Sequence, residues 1–171
     1  FKFYGLDIRF DLDAAQLKNA YLEKSKLYHP DFYANDPKSY NTALMASAYN
    51  NQAYKTLNSE ISRAAYLLEL FKPGLESKTL PQDFLMEMLE LNEAIDELND
   101  DNRYDIEDKI DDYRKNSLMA LRQAAIASRW DELQMHMLEW KYLERLKDRL
   151  NAIWFRLFHM AQAQKINGIW M

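Results

Sequence analysis

His29 and Asp31 stand on either side of Pro30 in the run Leu27-Tyr28-His29-Pro30-Asp31-Phe32-Tyr33. An imidazole and a carboxylate this close in sequence are the components of an acid-base pair, so proton transfer is the first chemistry to consider. Two facts weigh against it. Neighbours on either side of a proline point in different directions, and no serine, cysteine or metal-ligand set accompanies them. There is no cysteine in the chain, which removes disulfides, thiolate nucleophiles and thiolate metal sites. The three histidines, His29, His136 and His159, are widely spaced and form no H-x-x-x-H pair, so no metal site is expected. Gly5, Gly74 and Gly168 are the only glycines, too few for a phosphate-cradling loop. We expect no catalytic residue and no resident cofactor. His-Pro-Asp is then either a proline helix stop with incidental polar neighbours or a surface that another protein reads.

The elements that position this tripeptide come from the bulk pattern. The chain has 171 residues, 48% of them hydrophobic and 29% charged, with only 3 glycines and 4 prolines. Abundant Ala, Leu, Met, Glu and Lys make an all-α protein the expectation. No run of about 18 uncharged apolar residues appears, so no membrane span is expected. The first residues, "FKFYGLDIRFDLD", lack the basic flank and small-residue cleavage site of a signal peptide. A net charge of -5 argues against a general nucleic-acid binder. Residues 1–71 balance near zero, whereas 72–150 carry about seven excess negative charges. This asymmetry suggests two regions with different partners. The break falls in "FKPGLESKTLPQDF", where Pro73-Gly74 signals a turn and Pro81 suits the start of a helix.

In the first region Asp13 is placed to cap a helix, with Gln16 three residues on to close a capping box. Ala14, Leu17, Tyr21 and Tyr28 share one helical face, and Lys18, Leu22 and Lys26 point away from it. That helix stops at His29, because a residue before proline is pushed out of the helical region. After the polar loop "ANDPKSYN" a second helix is expected from about Tyr40 to Leu57, with Met45, Tyr49, Ala53 and Leu57 as its apolar stripe. A further apolar run continues to Phe71. The first two helices make an antiparallel hairpin with His-Pro-Asp at its tip.

The second region reads as three helices, roughly 81–99, 104–128 and 130–155. On the first, Phe84, Met88, Leu91, Ile95 and Leu98 form a core stripe. Leu85, Met86 and Leu89 project about 100° or more away from it, beside Glu90, Glu93 and Glu97. A second apolar strip flanked by acids fits either a helix buried on two sides or an exposed contact surface with a charged rim.

A capped helix bearing outward lysines, His-Pro-Asp directly after "KLY", a polar loop, and then "NNQAYKTLNSEISRAAYLL" together resemble a J-domain, the module that stimulates ATP hydrolysis by DnaK-type chaperones. "FYGLDIRFDLD" is similar to that module's short first helix and its approach to the second. A J-domain followed by "LPQDFLMEMLELNEAIDEL" and a compact acidic bundle resembles the HscB/Jac-type co-chaperones of iron-sulfur cluster assembly, over roughly residues 3–150. The resemblance implies a J-domain at 1–72, a linker at 73–80, a scaffold-binding three-helix domain at 81–150 and a helical extension at 151–171. It implies that His29, Pro30 and Asp31, with Lys18, Lys24 and Lys26, face a DnaK/HscA-type chaperone. It also implies that Leu85, Met86, Leu89, Glu90, Glu93 and Tyr142 bind an IscU-type scaffold. The ATPase chemistry would be the partner's, and this chain would not be an enzyme. The location implied is the bacterial cytoplasm, with the mitochondrial matrix as the alternative.

Three departures qualify the resemblance. Leu22 and Glu23 stand where generalist J-domains carry basic residues, which fits a dedicated chaperone better than a general one. Phe32 follows Asp31 where many relatives have lysine. The tail "NAIWFRLFHMAQAQKINGIWM" matches nothing in the family. Ile153, Trp154, Leu157, Phe158 and Ala161 have helical spacing, so this tail reads as a helix packing on the bundle, with self-association as the alternative. His136 and His159 read as ordinary helix residues. Two competing functions remain: a general J-protein delivering unfolded clients to DnaK, and a purely structural helical interaction protein. The acidic second region with Leu85, Met86 and Leu89 favours one folded partner over many extended peptides.

Overall fold

The computed structural model describes residues 1–74 and 79–167, with only the backbone described for Ala161 and 163–167. Among the described residues there are six α-helices and no strand: α1 Ala14–Leu27, α2 Pro37–Asn58, α3 Glu60–Phe71, α4 Gln82–Asp96, α5 Arg103–Ile126 and α6 Trp130–Asn167. The protein is all-α, as the composition predicts. The chain divides into two compact units, Phe1–Leu75 with Arg122–Leu133, and Glu76–Leu121 with Gln134–Met171. Half of the segment expected as a linker at 73–80, residues 75–78, lies outside the described residues.

The first unit begins with a 3-10 turn at Lys2–Tyr4, closed by Gly5 at φ 65°, a left-handed conformation that glycine adopts without steric cost. The Asp13 carboxylate accepts from the N–H groups of Ala15 and Gln16 and so caps α1. The partners of α1 on α2 run in reverse order: Tyr21 donates to Asn51 and stacks on Tyr54, Ser25 meets Asn50, and Tyr28 lies beside Ala43 and Ala46. The hairpin is therefore antiparallel. Two expectations for α2 need correction. It starts at Pro37 rather than about Tyr40, because Asp36 caps it through the N–H groups of Lys38 and Ser39 and proline suits the first helical position. Its buried face is Ala43, Asn50 and Leu57, whereas Met45 is 75% and Tyr49 59% exposed. The face turned to α1 carries a small residue and a hydrogen-bonded amide, which a hydrophobic pattern does not register.

On α3, Ala64 and Leu67 are buried together with Arg63. That guanidinium lies 4.9 Å from the Phe10 ring and donates to the Leu57 carbonyl at 2.9 Å; desolvation by burial pulls its pKa down. The end of α5 and the start of α6 also belong to this unit. Arg122 forks onto the Glu60 carboxylate, and Trp130 stacks on Phe71 with centroids 4.8 Å apart. The turn between α5 and α6 holds Ser128 at φ 55°, with Arg129 N–H returning to the Ala124 carbonyl.

In the second unit Met88, Leu91, Ile95 and Leu98 meet Ile106 and Ile110 of α5 and Leu143, Leu146 and Leu150 of α6. The first of these helices ends at Asp96, short of the expected residue 99. Asn99 and Asn102 there cap one another reciprocally: the Asn99 side chain accepts from Asp101 and Asn102 N–H, and that of Asn102 from Asn99 N–H. Around the core, Lys147 bridges Glu107 and Asp111, and Arg114 bridges Asp111 and Glu144. α6 continues past the expected residue 155 to Asn167. Among the described residues of its extension, Ile153 and Trp154 pack on the core, while Phe155, Leu157, Phe158 and Met160 are exposed. The expectation that Leu157 and Phe158 pack on the bundle is thus corrected: they line an open groove with Leu98, Asn99 and Asp100, because α4 has already ended there. The side chain of Ala161 lies outside the described residues.

Candidate partner-binding sites

The tip of the α1–α2 hairpin is built by short-range bonds. Tyr28 N–H closes the last turn of α1 onto the Lys24 carbonyl. His29 then turns extended at φ -68°, ψ 122°, as a residue before proline must. Pro30 opens a 3-10 turn ending at Tyr33, in which Phe32 N–H donates to the His29 carbonyl. The Tyr33 hydroxyl reaches back to the Leu27 carbonyl at 3.0 Å, and Asp36 N–H donates to the Tyr33 carbonyl. The Ser39 hydroxyl, with the backbone donors beside it, holds the Asp36 carboxyl below the usual aspartate range. The loop is thereby tied at both ends while His29, Asp31 and Phe32 stay exposed.

The imidazole and the carboxylate are not hydrogen-bonded to each other. His29 Nδ1 and Asp31 Oδ2 are 3.6 Å apart, beyond hydrogen-bond distance, and both residues face solvent. The Phe32 ring lies 5.6 Å from the imidazole and is 73% exposed. Lys18 and Lys26 are exposed on α1. Lys24 is half-buried, with its ammonium 5.5 Å from the Phe3 ring and 6.0 Å from that of Tyr28. The tip presents a carboxylate, an imidazole and an aromatic ring, with Lys26 in the last turn of α1 close by and Lys18 in the first half of that helix.

The second candidate surface lies on α4. Its core stripe is buried as expected, with Phe84 half-buried at its edge. Of the two readings for the other strip, the structure supports exposure: Leu85 is 42%, Met86 57% and Leu89 58% accessible, with Glu90 and Glu93 exposed beside them. Tyr142 comes from α6, half-buried with its ring edge-on to Phe84 at 6.0 Å. Its hydroxyl accepts from the Asn92 amide at 3.2 Å, and Asn92 also donates to the Met88 carbonyl. Arg149 bonds the backbone and side-chain oxygens of Asn92 and pairs with Asp96. The sequence reading does not include Asn92 and Arg149, the residues that hold Tyr142 against α4. The signal available for them was the spacing of Asn92 and Asp96, one turn apart, but the arginine 53 residues away becomes a partner only through folding.

Residues 80–151 match the family described as the HSCB C-terminal oligomerisation domain. The chain is 31% identical to the co-chaperone protein HscB of Proteus mirabilis over 92% of this chain and 96% of that protein. It is 29% identical to the HscB homologue of Vibrio atlanticus over 92% and 97%. The solved structure of chaperone HscB from Vibrio cholerae superposes with a TM-score of 0.74 at 28% identity, covering 92% of this chain and 98% of that one. The human co-chaperone HscB superposes at 0.78 with 24% identity, covering 89% and 80%, a likeness of fold alone. With an exposed His-Pro-Asp tip on one unit, a matching bundle in the other, and similarity along nearly the whole length of its bacterial relatives, the chain belongs to the HscB family of co-chaperones.

Proposed function

We propose that the chain binds an IscU-type iron-sulfur scaffold through the second unit and delivers it to a DnaK/HscA-type chaperone, whose ATPase the J-domain stimulates. The division of labour is a J-domain at 1–72 and a scaffold-binding domain at 81–150, with the chaperone's ATPase active site doing the chemistry and the cluster travelling as cargo on the scaffold. The observation that carries this reading is the exposed strip of Leu85, Met86 and Leu89 on a helix whose opposite face is fully used in the core. Burying three large apolar side chains against one folded partner is worth several kcal/mol, and Glu90 and Glu93 at the rim add selectivity for a partner with basic edges. At the other site Pro30 fixes the loop, Asp31 offers its carboxylate to a cationic group, His29 adds packing and hydrogen bonding, and Lys18, Lys24 and Lys26 steer an acidic chaperone surface. The bacterial relatives support a bacterial cytoplasmic location. Among the described residues no helix is long and apolar enough to cross a membrane.

The test measures the ATPase rate of a purified HscA-type chaperone with this protein, with and without an IscU-type scaffold. Stimulation that rises synergistically with scaffold is expected. His29→Gln should abolish stimulation, and Leu85→Ala with Leu89→Ala should remove the synergy alone. Stimulation without any effect of scaffold would instead assign a general J-protein that delivers unfolded clients.

A further inference from the structure

The α4–α6 side of the second unit carries a groove whose chemistry differs from the acidic rim around it. It is lined by Asn92, Tyr142, Arg145, Leu146 and Arg149. The four residues of α6 fall at i, i+3, i+4 and i+7, so they share one face. Leu146, buried in the core, forms the floor. Asn92 lies one turn beyond Leu89 and two beyond Leu85, so the groove continues directly from the apolar strip.

The donors in this groove are unequally occupied. Arg149 is fully engaged with Asn92 and Asp96. The Asn92 amide is divided between the Met88 carbonyl and the Tyr142 oxygen. Tyr142 accepts that bond, which leaves its own O–H proton to donate. Arg145 is exposed and, among the described residues, makes no ion pair. A guanidinium and a phenolic O–H lining one groove over the buried Leu146 are complementary to a carboxylate: the planar fork takes one or both oxygens and the hydroxyl supplies a further donor. The neighbouring α4 surface is lined by Glu90 and Glu93, so a lone unpaired arginine beside it marks a place where the partner's charge is reversed.

We propose that the groove at Tyr142 and Arg145 is a carboxylate subsite that takes an Asp or Glu side chain of the protein docked on Leu85, Met86 and Leu89. The subsite rests on the scaffold-binding reading above and extends it: apolar contacts hold the partner, and one acidic side chain seated between α4 and α6 sets its register along α4. Glu90 and Glu93 then demand basic residues at one edge of the partner's surface, and Arg145 an acidic residue at the other.

Binding of a purified IscU-type scaffold to the full chain by titration calorimetry, at low and high salt, tests this. Arg145→Glu should weaken binding about tenfold at low salt, and Tyr142→Phe a few-fold, as expected for losing charge-assisted bonds at a partly desolvated contact. The Arg145→Glu penalty should shrink as salt rises. Lys115→Glu, an equal change of charge on α5, should alter affinity by less than about twofold if the effect is local. Unfolding curves confirm that each variant is folded. If Leu85→Ala with Leu89→Ala abolishes binding while Arg145→Glu and Tyr142→Phe bind as the parent does, the subsite is wrong and the scaffold-binding reading stands. Equal losses for Arg145→Glu and Lys115→Glu would reduce the effect to net charge and also overturn the subsite. If the parent chain binds no scaffold, or the leucine variants bind normally, both proposals fall together.

Discussion

Asn50 is the side chain on which the hairpin depends. It is completely buried in α2, and each of its side-chain polar atoms has a partner from another segment. Its amide nitrogen donates to the Tyr21 carbonyl at 3.2 Å and to the Ser25 hydroxyl at 2.9 Å, while its side-chain oxygen accepts from the Tyr4 hydroxyl at 2.8 Å. One residue thus joins the N-terminal 3-10 turn and α1 to α2. Burial makes such a network costly to break, because the partners left behind have no water to turn to. Asn50→Leu, close in volume but without donors, is expected to lower the unfolding free energy by about 2–3 kcal/mol in urea titrations. The His-Pro-Asp loop would be displayed from a looser hairpin as a result, so maximal chaperone stimulation should fall even though His29 and Asp31 are untouched. Asn50 was not identifiable as a core residue from the sequence. An asparagine between Tyr49 and Asn51 looks like surface until the two segments that satisfy it come together.

At the scale of the element, α4 carries two faces with different tasks. Met88 is fully buried in the core, while the adjacent Leu89 projects into solvent. Met88→Ala should therefore cost about 2–5 kcal/mol of stability. Leu89→Ala should change it by less than about 0.5 kcal/mol, since its side chain fills no cavity. Paired urea melts of the two variants would check this, and a large loss for Leu89→Ala would mean that the strip is packed rather than displayed. Both stripes of α4 are legible in the sequence, because its core face repeats large apolar residues at helical spacing. Tertiary structure was needed to choose between a second buried face and an exposed one. α2 shows the converse. Its most hydrophobic stripe contains Met45 and Tyr49, yet these are exposed, and the buried line runs through Ala43, Asn50 and Leu57. Close helix approach favours small and hydrogen-bonded residues, so hydrophobicity alone places Leu57 correctly but misplaces Met45 and Tyr49.

For the whole molecule, pH acts on stability from both ends. The Arg122 hydrogen bonds hold Glu60 below the usual glutamate range, and those of Lys147 and Arg114 hold Asp111 below the usual aspartate range. Carboxyls depressed in the folded state contribute stability that is complete above their unfolded pKa values and lost as pH falls through the folded ones. The urea midpoint should consequently hold from pH 7 to 5 and drop below about pH 4, and a Glu60→Gln, Asp111→Asn double variant should show a shallower drop. Tyr4 acts at the other end: burial pushes its phenol up to about 12, so its contribution is complete below pH 10 and is lost as pH rises from there through about 12. One tyrosine titrating late at 295 nm, and absent in Tyr4→Phe, would identify it. The sequence by itself determined the all-helical class, the hairpin that ends in His-Pro-Asp and the core stripe of α4, because periodicity, caps and proline geometry act within a few residues of one another. Tertiary structure alone decided which face of α2 is buried, that the α5–α6 turn packs with α3, that Leu85, Met86 and Leu89 stay uncovered, and that Tyr142 is held beside them by Asn92 and Arg149. Each of these depends on residues tens of positions apart, and a local pattern carries no information about which distant side chain will fill a space or satisfy a donor.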